Sequence, residues 1–225
     1  MFYRRKLPLL LKPIAYRRIE GAKTIGISGD MCDSATMTSP ADQRNVEIKA
    51  QIPGGAEGFS ARLDIARRLT GSSKAEEINQ RDVFFESPLG GRLKLRYLRA
   101  PARSQLVFYD RPDVAGPKLS KFNKIEIDEP EVLEKILSQS NGALGVLAKK
   151  RHLFLHGQTR IHLDEVKDLG YFMEFEVCLK PEQTLDEGQV IAEELVREFG
   201  IEEKDLMTGS YFDELLKRSK KMVTP

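Results

Sequence analysis

Between Gln158 and Leu179, in the stretch QTRIHLDEVKDLGYFMEFEVCL, charged side chains fall at every second residue. Arg160, His162 and Asp164 alternate with apolar Ile161 and Leu163, and Glu174 and Glu176 alternate with Met173, Phe175 and Val177. That period belongs to extended strands and puts each polar set on one face. The Lys-Asp-Leu-Gly connection between them predicts a hairpin, which gathers Asp164, Glu174 and Glu176 on one surface with Arg160 beside them. Carboxylates so crowded repel one another unless a cation lies among them, and such oxygen ligands suit hard divalent ions, Mg²⁺ or Mn²⁺. A solvated sheet face is the plainer reading of the same pattern.

Cations collect on the preceding segments at the same spacing. RNVEIKAQI, residues 44–52, presents Asn45, Glu47, Lys49 and Gln51 on one face. GRLKLRYLR, residues 91–99, stacks Arg92, Lys94 and Arg96, which is unfavourable unless that face is wet or meets anions. QLVFYDR places Val107, Tyr109 and Arg111 in one phase, and VLAKKRHLFLH places Lys149 with Arg151. If these polar faces look one way, Lys49, Lys94, Arg96, Arg111, Lys149, Arg151 and Arg160 converge, joined by Lys118 from the start of its strand and by Glu47, Asp164, Glu174 and Glu176. Bases dominate the middle strands and acids the last two, whereas an ordinary wet face mixes signs between neighbours. A polyphosphate bridged to a divalent metal satisfies both ends of such a bipolar site: lysine and arginine take phosphate oxygens, and carboxylates take the metal.

The elements that must position these residues are about eight strands, interleaved with a few helices in an antiparallel pattern. They predict an α+β chain built on a closed barrel or a strongly curved sheet. Helices are expected over 56–69, 130–139 and 185–199, with a last one capped by Ser210 and ending near Arg218. The folded region spans 44–219, and the tail, residues 220–225, is expected to fray. Residues 1–43 form a basic extension followed, from 27, by a small and polar linker. The basic bias of the extension is that of a mitochondrial presequence, but Pro8 and Pro13 interrupt the helix an import signal needs. Met31 or Met37 is an alternative start.

At 225 residues with 31% charged residues and a net charge of +2, the chain is not a polybasic nucleic-acid binder. No aromatic stacking platform accompanies the basic positions, which also argues against RNA. Cys32 and Cys178 make neither a disulfide framework nor a metal-ligand spacing, and the expectation is a reducing, cytoplasmic setting. No apolar run reaches the length needed to cross a bilayer.

The ordered set NVEIKA (45–50), LKLR (93–96), KKRHLF (149–154), RIHLDEV (160–166) and FMEFEV (172–177) resembles the motifs of the CYTH superfamily, the triphosphate tunnel metalloenzymes. That resemblance covers about residues 44–216 and implies an eight-stranded antiparallel tunnel that binds a triphosphate (ATP, thiamine triphosphate or tripolyphosphate) with Mg²⁺ or Mn²⁺ in a monomer or homodimer. It further implies metal binding by Glu47, Asp164, Glu174 and Glu176, and phosphate binding by Lys49, Lys94, Arg96, Arg111, Lys118, Lys149, Arg151 and Arg160. Glu47, Lys49, Arg96 and Glu176 would carry catalysis. Asn45 stands where the family's N-terminal signature has its first glutamate, and Phe154 where a tyrosine is common; the first change removes one charge from the metal end and implies a weaker or altered metal preference, not loss of the site, since Asn45 still offers a carbonyl oxygen. The chemistry implied is hydrolysis of a triphosphate, with cyclisation of ATP to cyclic AMP and ligand binding without turnover as alternatives.

Overall fold

The computed structural model describes residues 44–223, with side chains to residue 220; the extension and linker at 1–43 lie outside the described residues. Eight strands, β1 (Arg44–Gln51), β2 (Glu76–Phe85), β3 (Arg92–Leu98), β4 (Ser104–Asp110), β5 (Lys118–Ile127), β6 (Ala143–His156), β7 (Thr159–Val166) and β8 (Gly170–Cys178), pair antiparallel throughout. They close into a barrel in the order β1-β5-β4-β3-β2-β6-β7-β8. Helix α1 (Gly55–Thr70) links β1 to β2, α2 (Pro130–Ser140) links β5 to β6, and α3 (Leu185–Glu198) and α4 (Tyr211–Val223) follow the last strand.

The alternation has an unusual outcome: the apolar face of the wall looks outward and the charged face inward. Val46, Ile48, Ala50, Ile161, Leu163, Met173, Phe175 and Val177 bury their side chains against Phe59 and Ala66 of α1, and Ala192, Leu195 and Phe199 of α3 and its end. A second outer layer joins Val83, Phe85 and Leu95 to Leu133 and Leu137 of α2. Helices therefore supply the apolar cover that the barrel lumen does not. Local signals fix them: Gly71 at φ 67° ends α1 in the left-handed conformation that lacks a Cβ penalty, and Thr184 with Glu187 forms a capping box on α3.

Ser210 caps α4 as expected, its Oγ accepting the Asp213 N–H at 3.2 Å while the Asp213 carboxylate accepts the Ser210 N–H at 2.7 Å. Helix α4 extends to Val223, and RSKKMV contains no glycine or proline to stop it. Strand β6 begins at Ala143 rather than at Val146, with an irregular pairing to Phe84 and Phe85 of β2. That irregularity makes room for α4. A Cβ on Gly145 would lie 3.0 and 3.2 Å from the Phe212 ring, which stacks on Phe84 at 4.3 Å. Tyr211 and Phe212, with Phe84, Leu147, Val166 and Phe172, form an apolar stopper in one end of the barrel.

Candidate active site

Within the barrel lies a cavity of about 430 Å³. Its floor is the stopper, and its mouth is bordered by exposed Glu76, Ala102 and Lys124 at the other end. Glu47, Lys49, Lys94, Arg96, Arg111, Lys149, Arg151, Arg160, Glu174 and Glu176 all line it, so ten of the twelve residues selected from the sequence converge. A larger and shallower groove of about 720 Å³ crosses the outer wall past Arg81, Tyr97 and Lys150, but of the selected residues only Lys149 borders it. The charged chemistry is in the lumen.

One wall of the lumen is built from two similar clusters. Asp82 on β2 accepts from Lys94 Nζ at 2.9 Å and from Arg96 Nε and Nη2 at 2.8 Å each. Asp164 on β7 accepts from Lys149 Nζ at 2.9 Å and from Arg151 Nε and Nη2 at 2.7 Å each. Burial would raise both carboxyls, but Arg96 with Lys94, and Arg151 with Lys149, outweigh it and hold them far below the usual range. The lysines pay the opposite penalty: burial, with Arg96 nearby, pushes Lys94 down to about 8, and burial with Arg151 pushes Lys149 down to about 7. Neighbouring strands thus mix charges after all. The segregation expected from the sequence is corrected by these aspartates, because so many cations in a nearly closed lumen require buried counter-charges.

Opposite them, β1 and β8 run side by side with Glu47 facing Glu176 and Lys49 facing Glu174 in register. Glu174 binds Lys49 at 2.9 Å and Arg151 at 3.0 Å and meets His162 Nδ1 at 3.2 Å, while Glu176 pairs with Arg160 at 3.0 Å. Burial and then the Glu174 charge raise the Glu47 carboxyl, which sits 3.4 Å from Arg111. Glu174 is held well below its ordinary value, since Lys49, His162 and Arg151 overcome its burial. Asn45 donates its Nδ2 to Glu176, and its buried Oδ1 has no partner. Among the described residues, no three His, Cys, Asp or Glu side chains converge on one point as they stand; the carboxylates are turned toward cations. Even so, paired Glu47 and Glu176, the first with its carboxyl raised by burial and then by like charge, and an orphaned amide oxygen beside them make a donor set that fits a hard divalent ion.

Two selected residues stand apart from the cavity wall. Lys118 is buried with its ammonium given to three backbone carbonyls, those of Val114 at 2.8 Å, Met207 at 3.0 Å and Thr208 at 3.3 Å. Arg111 likewise donates to the Gly209 carbonyl at 3.2 Å, so both hold the turn that leads into α4. Asp164 lies beneath Lys149 and Arg151, its two oxygens both occupied. Sequence reasoning passed over Asp82, the only acid of the β2–β3 cluster, and Tyr211, whose ring lies 4.6 Å from Lys49 Nζ and 5.2 Å from Lys149 Nζ. Asp82 shares its phase with Gln80 and Phe84, a face too mixed in character to mark it, and for Tyr211 there was no signal, since the aromatic pair at the start of α4 looks like ordinary helix packing.

Residues 43–211 match the CYTH domain. The chain belongs to that family. No curated protein sequence matches it, but solved structures of the same fold do. The PH1012 protein of Pyrococcus horikoshii is 21% identical and superposes with a TM-score of 0.65 over 75% of this chain and 98% of its own. A conserved protein of Pyrococcus furiosus gives 18% identity and a TM-score of 0.63 over 75% and 98%. A proposed adenylate cyclase from Vibrio parahaemolyticus gives 20% identity and 0.62 over 77% and 98%. At these identities the likeness concerns fold; the CYTH assignment rests on the family match and on the eight-stranded tunnel itself.

Proposed function

We propose that this CYTH protein is a divalent-metal-dependent phosphohydrolase acting on an organic or inorganic triphosphate inside its barrel. Membership of a family whose members act on triphosphates supports this, and so does one observation above the rest. Lys94, Arg96, Lys149 and Arg151 line one wall of a stoppered cavity while Glu47, Glu174 and Glu176 line the other. A phosphate chain laid between them meets cationic donors along its length and a carboxylate set at its side. Arg96 and Arg151 each have one guanidinium edge fixed by an aspartate, which keeps the rest of the group aimed before substrate arrives. Donors held in place in this way lower the barrier chiefly by positioning and charge stabilisation. Glu47, Glu174 and Glu176, with Asn45 Oδ1, would hold Mg²⁺ or Mn²⁺, which supplies Lewis-acid charge to phosphate oxygens when bound. The Glu47 carboxyl, raised by burial, is the nearest of these to a proton acceptor for an attacking water.

The test is turnover of ATP, thiamine triphosphate and tripolyphosphate with each metal, read as released phosphate and as cyclic nucleotide. Phosphate release, lost in Glu176→Ala and Arg96→Ala variants that still melt cooperatively, is the expected result. Cyclic AMP as the main product would replace hydrolysis by cyclisation, and tight tripolyphosphate binding with no product under any metal would leave only a binding protein.

A further inference from the structure

We propose that Asp82 is a positioning residue of the triphosphate site, holding Lys94 and Arg96 together as a preformed two-pronged clamp for phosphate oxygens; this rests on the tunnel's binding a triphosphate. Strand pairing sets Asp82 directly opposite Arg96, with Lys94 one pleat away on the same face. Asp82 is 1% exposed, and both its oxygens are used. Arg96 gives it Nε and Nη2, leaving Nη1 for another acceptor, and Lys94 gives one of three ammonium protons. Each prong therefore keeps donors free while its direction is fixed. Both cations border the cavity.

The arrangement recurs on a separate hairpin. Asp164 lies opposite Arg151 in the β6–β7 pairing and engages the same atoms, Arg151 Nε and Nη2 with Lys149 Nζ, from the same Lys-x-Arg spacing. Because β2 and β6 are neighbours, the two clamps lie side by side on one wall, Gln80 and Lys149 facing each other in register between them. Each Lys-x-Arg pair exceeds its aspartate by one positive charge, which in the second clamp is partly met by Glu174 at 3.0 Å from Arg151. Successive phosphates of one chain are the ligand that such a repeat fits.

A carboxylate acting only as buried counter-charge and one acting as a positioner predict opposite effects of removal. If Asp82 merely offsets charge, Asp82→Asn makes the lumen more positive and tightens anion binding. If it positions, the same variant weakens binding, because Lys94 and Arg96 lose their shared anchor. Tripolyphosphate binding is measured by titration calorimetry at pH 6 for the full chain, for Asp82→Asn, for Arg96→Gln and for the double variant. The positioning role expects a loss of tenfold or more in Asp82→Asn and, since Asp82 acts partly through Arg96 and partly through Lys94, a double variant whose loss is clearly smaller than the product of the two single losses. Unchanged or tighter binding in Asp82→Asn, or effects of the two substitutions that simply multiply, overturns it. Should Asp82→Asn fail to fold, Asp82→Glu replaces it in the cycle: its charge is kept and its reach changed, so weaker binding supports positioning and wild-type affinity refutes it. Failure of the unaltered chain to bind tripolyphosphate would instead sink the triphosphate reading and this role together.

Discussion

Replacing Asn45 by glutamate tests whether the β1–β8 side of the lumen is a metal site short of one charge. In the free protein the variant loses the Nδ2 hydrogen bond to Glu176, a bond to a charged group worth about 1.5–3 kcal/mol. It also sets two carboxylates together, but that repulsion is capped: one of them takes a proton at pH 7 instead, at a cost of at most about 4 kcal/mol. Arg160, 3.0 Å from Glu176, offsets part of the second charge. A net loss of about 3 kcal/mol follows, and for a chain of this size each kcal/mol moves the melting temperature by about 2–4 °C, giving a drop of about 6–12 °C. A divalent ion at about 100 times its Kd returns about 2.7 kcal/mol to any protein that binds it only when folded. Thermal melts of the two proteins across an Mn²⁺ titration, after chelation, therefore expect a large deficit in Asn45→Glu that closes with metal. Equal melting temperatures without metal, or equal increments with it, would refute the reasoning.

Affinity for tripolyphosphate should fall as pH rises from about 6.5 to about 8.5, because Lys149 near 7 and Lys94 near 8 lose the charge that phosphate requires; calorimetry at fixed ionic strength measures it. Stability of the free chain has the opposite sign over that window. Both lysines are depressed below their unfolded values, so the unfolded state binds more protons and the fold gains as pH rises, as melts in the same buffers will show. Phe212→Ala should cost about 3–5 kcal/mol and open the floor of the lumen, read by denaturant unfolding, because it removes the ring stacked on Phe84. Gly188→Ala should cost about 1–3 kcal/mol with ligand affinity untouched, since its Cβ would meet Val46 Cγ2 at 2.8 Å where α3 rests on the outer wall.

The lumen was legible because a barrel with an apolar outside writes its function at every second residue. NVEIKA, LKLR and FMEFEV each place charges in one phase, and the register then brings those phases together. Strand β2 shows where this fails. Glu76, Ile78, Gln80, Asp82 and Phe84 face inward, Glu77, Asn79, Arg81, Val83 and Phe85 outward, and neither set is uniformly polar. Its inward face passes from mouth to clamp to stopper, three environments along one strand, so no alternation survives and Asp82 is hidden. Lys118 fails for a different reason. Its phase is right, but a backbone turn distant in sequence takes its ammonium, and non-local carbonyls leave no trace in side-chain spacing.

The apolar stopper has a consequence for traffic. Tyr211 and Phe212 pack into one end of the described barrel, so the end bordered by exposed Glu76, Ala102 and Lys124 is the open approach to the charged lumen. If the barrel hydrolyses a triphosphate as proposed, a phosphate released beside Tyr211 and Phe212 would have to leave past the fragment nearer the mouth.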